Sequence, residues 1–193
     1  PTLQKSNTNS HPMQFITTEI AGAWLIDVER STDERGFFAR VWCQREFAAH
    51  GCAQPPAQMS IAYSQRRGTL RGLHYQAAPH EEAKLVRAIK GAAHVVVLDL
   101  RHDSPSYRRW LGAELSANNR RALYVPPGCA QGYQTLADDT ELLYQISEFY
   151  EPMAARGLRY DDPGFAIHWP LPVTIISDKD RNWPNYVSSY QHA

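Results

Sequence analysis

Between residues 83 and 149 the chain repeats one pattern: a short run rich in β-branched, aliphatic and aromatic residues, then a turn signal, then another run. Residues 83–90 lead into Gly91, 93–100 follow as a β-branched stretch, and Ser104-Pro105 breaks the chain before 110–115. Asn118-Asn119, 122–125, Pro126-Pro127-Gly128, 132–136 and 141–149 continue the series. Parallel strands need crossover connections of about a dozen residues or more. Spacings of about 8–12 residues leave no room for them, so the pattern predicts an all-β barrel-like sandwich with minor helix. The five Trp and ten Tyr suit such a fold, because aromatic side chains pack well on pleated surfaces.

Upstream, 16–28 read as a strand pair turning at Ala21-Gly22, and Asp33-Glu34-Arg35-Gly36 as a turn before a strand at 37–42. Residues 44–50 make one or two helical turns, stopped by Gly51. Residues 1–14 have the composition of a tail, and the rest, 15–193, fits one domain at roughly 100–200 residues per domain. The last forty residues, dense in Pro, Trp and Asp, read as irregular covering segments. Twenty basic residues balance twenty acidic ones, whereas a protein that wraps a nucleic-acid polymer is visibly basic. No apolar run approaches the roughly 18 residues of a membrane-spanning helix, so no membrane partner is expected. Three cysteines (Cys43, Cys52, Cys129), no CxxC and a polar start without a signal-peptide pattern predict a reducing, cytoplasmic setting.

One segment concentrates chemistry: Arg66, Arg67, Gly68, Thr69, Leu70, Arg71, Gly72, Leu73, His74, Tyr75 and Gln76, followed by Lys84 and Arg87. If this is a strand, period-two alternation puts Arg71 and Leu73 on one face and Gly72 and His74 on the other. Gly68 and Gly72 leave room for a ligand to approach the backbone.

GTLRGLHYQ, KLVR, GAAHVVVLDLR, SPSY, YVPPGCAQGY, LLYQISEFYEP, DDPGFAIHWP and ISDKD occur in the order found in the dTDP-4-dehydrorhamnose 3,5-epimerase family. The chain resembles that family from near Trp24 to about Asp180. The resemblance implies a cupin-type jelly roll, a homodimer and a dTDP-linked keto-sugar as ligand. Some cupins bind metal through G(x5)HxH(x3–4)E and a later PxG(x2)H. Here Gly68 and His74 fit and Glu81 could, but Gln76 and Gln131 stand at the other two histidine positions. Gln is a poor ligand for first-row transition metals, so no metal or cofactor is expected.

In a 4-keto sugar the hydrogens on C3 and C5 are acidic, because the carbanion delocalises onto the ketone oxygen. Inversion there requires a base that works near neutral pH, a donor at the developing enolate oxygen, and an acid on the opposite face. By resemblance His74 is the base, Asp180 its carboxylate partner, Lys84 the enolate stabiliser and Tyr144 the acid. Arg35 and Arg71 match family arginines that engage the diphosphate. Phe38 and Tyr150 match aromatics that sandwich the base, in the family partly across the dimer interface, and Gln58 matches a substrate-binding glutamine. The chain departs from the family at four places: Gln131 replaces a histidine, Val95 the aspartate that partners it, Ser60 an asparagine, and Arg40 an acidic residue. These departures leave three outcomes open: epimerisation at both carbons, epimerisation at one carbon or of another dTDP-keto-sugar, and sugar-nucleotide binding without catalysis.

Overall fold

The computed structural model describes residues 12–52 and 54–186. The chain order is β1 (Gln14–Thr17), β2 (Trp24–Asp27), β3 (Arg30–Asp33), β4 (Gly36–Ala39), α1 (Gln44–Ala49), β5 (Gln58–Ser64), β6 (Leu70–Gln76) and β7 (Lys84–Lys90). There follow β8 (Ala92–Asp99), β9 (Trp110–Ser116), β10 (Ala122–Val125), β11 (Cys129–Thr135), β12 (Thr140–Ile146), β13 (Ala155–Gly157) and α2 (Asp178–Arg181). Six strands form one antiparallel sheet in the order β1-β2-β10-β7-β12-β5, and five form a second in the order β13-β6-β11-β8-β9. The two sheets make the all-β sandwich that the strand spacing requires, with consecutive strands often in different sheets, as in a jelly roll.

Hydrophobic alternation explains the layers. Val86 and Ala88 of β7, Leu123 and Val125 of β10, and Leu142 of β12 meet Val95 and Val97 of β8 and Leu115 of β9 between the sheets. Val96 and Leu98, the intervening residues of β8, point outward into a second cluster with Leu158 and Phe165. That is why β8 is a continuous apolar run: both of its faces are covered. Each Val or Leu so buried is worth about 1.5–3 kcal/mol. The outer face of the other sheet is closed by Phe47 of α1, Cys52 and Met13. The last residues of the expected tail are therefore docked, since Met13 is buried and Gln14 opens β1; residues 1–11 lie outside the described residues.

The DLR and SPSY motifs build a clasp. Asp99 is fully buried and accepts hydrogen bonds from Arg101 Nε at 2.8 Å and Ser106 Oγ at 2.6 Å. Ser106 Oγ in turn accepts from the Ala21 N–H at 2.9 Å, tying the β8–β9 connection to the β1–β2 turn. Burial alone would raise the Asp99 pKa, but these donors hold it down at about 2.

The sequence reading missed β3, β5, β13 and α2. β3 is exposed and lacks alternation, β5 alternates Met59, Ile61 and Tyr63 with Ser60 and Ala62 but leaves the larger residues exposed, and β13 is three residues long. Within the last forty residues, Ser177 caps the single turn of α2, its Oγ accepting from the Asp180 N–H at 3.1 Å.

Candidate active site

A bulge in the β6–β11 pairing organises the site. His74 pairs with Gln131 and Arg71 with Tyr133, so three steps along β6 match two along β11. Gln131 and Tyr133 share a face by ordinary alternation, and the extra residue brings Arg71 and His74 onto that same face. Leu73 turns to the outer cluster instead. Simple alternation across this segment therefore fails, because it assumes an unbroken ladder. Gly72 makes the bulge possible: its φ is +114°, and a Cβ there would lie 2.6 Å from Gly132 Cα.

The shared face opens on a cavity of about 400 Å³ between the sheets. Gln58, Arg71, His74, Lys84, Tyr144 and Tyr150, all proposed from sequence, line it. His74 is 44 % exposed, and its Nε2 lies 2.6 Å from Asp180 Oδ1. With Nε2–H donating to the carboxylate, Nδ1 keeps the free lone pair. Asp180 is 6 % exposed and also accepts from the Gly72 N–H at 3.2 Å and Trp183 Nε1 at 3.3 Å. Burial works to raise its pKa, but the bonds from His74, Gly72 and Trp183 outweigh it and hold the group below the ordinary carboxylate value. It is an anion at neutral pH.

Asp180 reaches His74 because the chain returns beside β6: Thr69 bridges Ile175 in parallel, and the Leu70 N–H donates to the Ile175 carbonyl at 2.8 Å. Across the cavity, burial pushes the Tyr144 hydroxyl pKa well above the ordinary tyrosine value, with Tyr133 adding to the effect. It stays protonated throughout the neutral range. Lys84 Nζ pairs with Glu82 at 2.7 Å and donates to the His74 carbonyl at 3.4 Å.

Several neighbours escaped the sequence reading. Glu82, Tyr133, Arg156, Lys179 and Trp183 all line the cavity. Lys179, inside the quoted ISDKD motif, and Tyr133, the last residue of YVPPGCAQGY, were the signals available; the rest depend on distant pairing. Gln58 Oε1 accepts from the Tyr150 N–H at 2.8 Å, so it positions Tyr150 as well as lining the cavity. Gln76, at the second cupin histidine position, has its amide committed to backbone: Nε2 donates to the Phe149 carbonyl at 3.1 Å and Oε1 accepts from the Glu151 N–H at 2.7 Å. Among the described residues no three His, Cys, Asp or Glu side chains converge as a ligand set.

Four residues stand elsewhere. Arg87 lies on the opposite face of β7 from Lys84 and donates to the Val41 carbonyl at 2.7 Å, its pKa lowered to about 10 by burial. Arg35 and Phe38 sit on the separate β3–β4 hairpin, where Arg35 pairs with Asp33 and Phe38 is 72 % exposed. Neither reaches the cavity of its own chain. Arg40 is likewise remote and pairs with Glu46 at 2.9 Å.

A family profile described as dTDP-4-dehydrorhamnose 3,5-epimerase matches residues 17–187. A dTDP-4-dehydrorhamnose 3,5-epimerase from Methanothermobacter thermautotrophicus is 40% identical over 177 residues, covering 88% of this chain and 92% of that protein. A dTDP-4-dehydrorhamnose 3-epimerase from Streptomyces niveus is 35% identical over 172 residues, covering 88% and 82%. Among solved structures, dTDP-4-dehydrorhamnose 3,5-epimerase from Bacillus anthracis with TDP and PPi bound superposes with a TM-score of 0.87 at 37% identity, covering 90% of this chain and 99% of that one.

Proposed function

Because the chain belongs to the dTDP-4-dehydrorhamnose 3,5-epimerase family, a family of isomerases, we propose that its cavity inverts carbons beside the ketone of a dTDP-linked 4-keto-6-deoxyhexose. The observation that carries this reading is the His74–Asp180 pair facing a protonated Tyr144 across one cavity. His74 Nδ1 takes the proton from C3 or C5. The C–H pair forms a C=C bond, and the ketone π pair moves onto oxygen as an enolate. Asp180 stabilises the imidazolium as it forms, and Lys84 supplies the cation at the enolate oxygen. The enolate then collapses, taking the Tyr144 hydroxyl proton at carbon on the opposite face. Proton exchange with solvent restores His74 and Tyr144. Arg71, with Arg156 and Lys179 at the same cavity, suits the diphosphate.

A second copy of the chain completes the site. The β5 edge exposes Met59, Ile61 and Tyr63, an apolar strip that a lone sheet edge seldom carries. A partner covering it brings Arg35 and Phe38 to the cavity from its own hairpin. The three unpaired cysteines support a reducing compartment, the cytoplasm. Inversion at one carbon is the second reading: Gln131 and Val95 leave His74 as the histidine that lines the cavity, and the Streptomyces niveus relative is named for C3 alone.

The test is proton NMR of dTDP-4-keto-6-deoxyglucose with the protein in D₂O. Loss of the C3 and C5 signals together, or of one only, separates the two readings. His74→Ala is expected to abolish exchange, and exchange that persists unchanged in that variant overturns the assigned base. Binding without any exchange means a sensor, not an epimerase.

A further inference from the structure

Glu82 takes no part in the proton transfers, yet its Oε1 lies 2.7 Å from Lys84 Nζ, the cation assigned to the enolate oxygen. A carboxylate there opposes the charge that develops on the enolate, so its presence needs a reason. The local backbone dictates the pairing. Ala83, between the two, donates its N–H to Ser147 Oγ at 2.8 Å, and its carbonyl accepts from the Ser147 N–H at 3.0 Å. The Ala83 side chain joins Phe47 and Leu85 in the cluster on the outer face of the sheet. Alternation then turns Glu82 and Lys84 to the other face, into the cavity that both line. Their side chains are 10 % and 9 % exposed, so the pair is screened far less than one on the surface. Lys84 Nζ also donates to the His74 carbonyl, on the facing sheet, at 3.4 Å. An ammonium carries three hydrogens on a flexible four-carbon stem. Glu82 and the His74 carbonyl engage two of them, which fixes the stem and leaves the third for a ligand.

We propose that Glu82 is the positioning residue for Lys84: it holds the ammonium where the enolate oxygen forms, and by cancelling its charge it leaves the diphosphate to Arg71, Arg156 and Lys179. The proposal rests on the epimerase reading of the same cavity and deepens it. A free lysine among those cations is a competing landing place for a phosphate, whereas a lysine already paired with a carboxylate is not. Glu82 acts through Lys84 on the enolate, and the enolate precedes both solvent exchange and inversion. Both therefore slow together when Glu82 is lost.

The experiment follows turnover and deuterium uptake of dTDP-4-keto-6-deoxyglucose in D₂O, with inorganic pyrophosphate as a competing inhibitor. Glu82→Leu is expected to lower kcat by about ten- to hundredfold, the scale of a misplaced catalytic group. Glu82→Gln keeps a carbonyl oxygen that accepts from Lys84, so it is expected to lose only about three- to tenfold. The Gln variant also covers the case in which the Leu variant, with Lys84 buried and unpaired, does not fold. In both variants pyrophosphate is expected to inhibit at least about threefold more tightly, because a negative charge has left the cavity and Lys84 is free to bind it. A merely structural defect would weaken that binding instead. In a Lys84→Met background, Glu82→Leu is expected to add less than about twofold to the loss of kcat, because the group it positions is gone. A Gln variant as active as the parent, or pyrophosphate bound no more tightly, overturns the assignment while leaving the epimerase reading intact. No exchange by the unsubstituted protein overturns both.

Discussion

Replacing Gly72 by alanine tests the bulge on which the site depends. The residue has φ +114°, and the added methyl would lie 2.6 Å from Gly132 Cα and 2.9 Å from the Gln131 carbonyl oxygen. Both obstacles are backbone in a paired strand, so neither can rotate away as a side-chain tip would. Positive φ costs an L-residue about 1–2 kcal/mol, and forcing a methyl into packed surroundings adds about 1–3 kcal/mol. The expected loss is about 2–5 kcal/mol, or roughly 5–15 °C in Tm for a chain of this size. Gly51 is the matched control, with φ +78° and nothing within 4 Å of an added Cβ. Gly51→Ala is expected to lose only about 1 kcal/mol, after the gain from a stiffer unfolded chain, or about 2–4 °C. Calorimetry and urea unfolding measure both. Relief of the clash also separates β6 from β11, so Gly72→Ala is expected to lose solvent exchange at the sugar, whereas Gly51→Ala keeps it. Equal Tm losses, or a Gly72→Ala protein within 2 °C of the parent (a shift below about 1 kcal/mol), would refute the argument.

Asp180→Asn is expected to lower kcat roughly hundred- to ten-thousandfold with dTDP binding little changed, since the carboxylate lies behind the imidazole; a kcat within about threefold of the parent would sink the pairing. Asp99 has its pKa depressed from 3.8 to about 2, so its contribution is present above the unfolded value near 4 and disappears as pH falls through about 2. That displacement is worth about 2 kcal/mol, and urea unfolding of Asp99→Asn should show at least that deficit at pH 7, shrinking by about that amount near pH 2. For the proposed site shared between two copies, His74→Ala and Arg35→Ala proteins are each expected to be strongly impaired. Subunit exchange between them should recover about a quarter of the native sites, because half the dimers are mixed and each mixed dimer holds one intact site; no recovery would return Arg35 to its own chain.

The core strands were legible because their signals are local. β7, β8, β9 and β10 carry apolar runs between turn residues, and those runs are buried whatever the order of the strands. β3 offered no such contrast, and β5 alternates but turns its larger apolar residues, Met59, Ile61 and Tyr63, outward instead of into the core. At the site, motif resemblance supplied His74, Lys84, Tyr144 and Asp180, and the fold brings them around one cavity. Glu82, Arg156 and Trp183 emerge only when segments far apart in sequence are brought together.

Residue order alone committed the chain to a β sandwich, since short apolar runs with little chain between them can bury their faces only as packed antiparallel sheets. It also supplied an imidazole, a carboxylate, an ammonium and a phenol. Tertiary structure decided which of them meet. His74 and Asp180 are 106 residues apart, and only the return of the chain along β6 closes that distance. Arg71 and His74 share a face because β11 imposes a bulge on β6, an interaction between strands that neither segment contains. Tertiary structure also set Arg35 and Phe38 apart, on a hairpin outside both sheets and away from the cavity of their own chain.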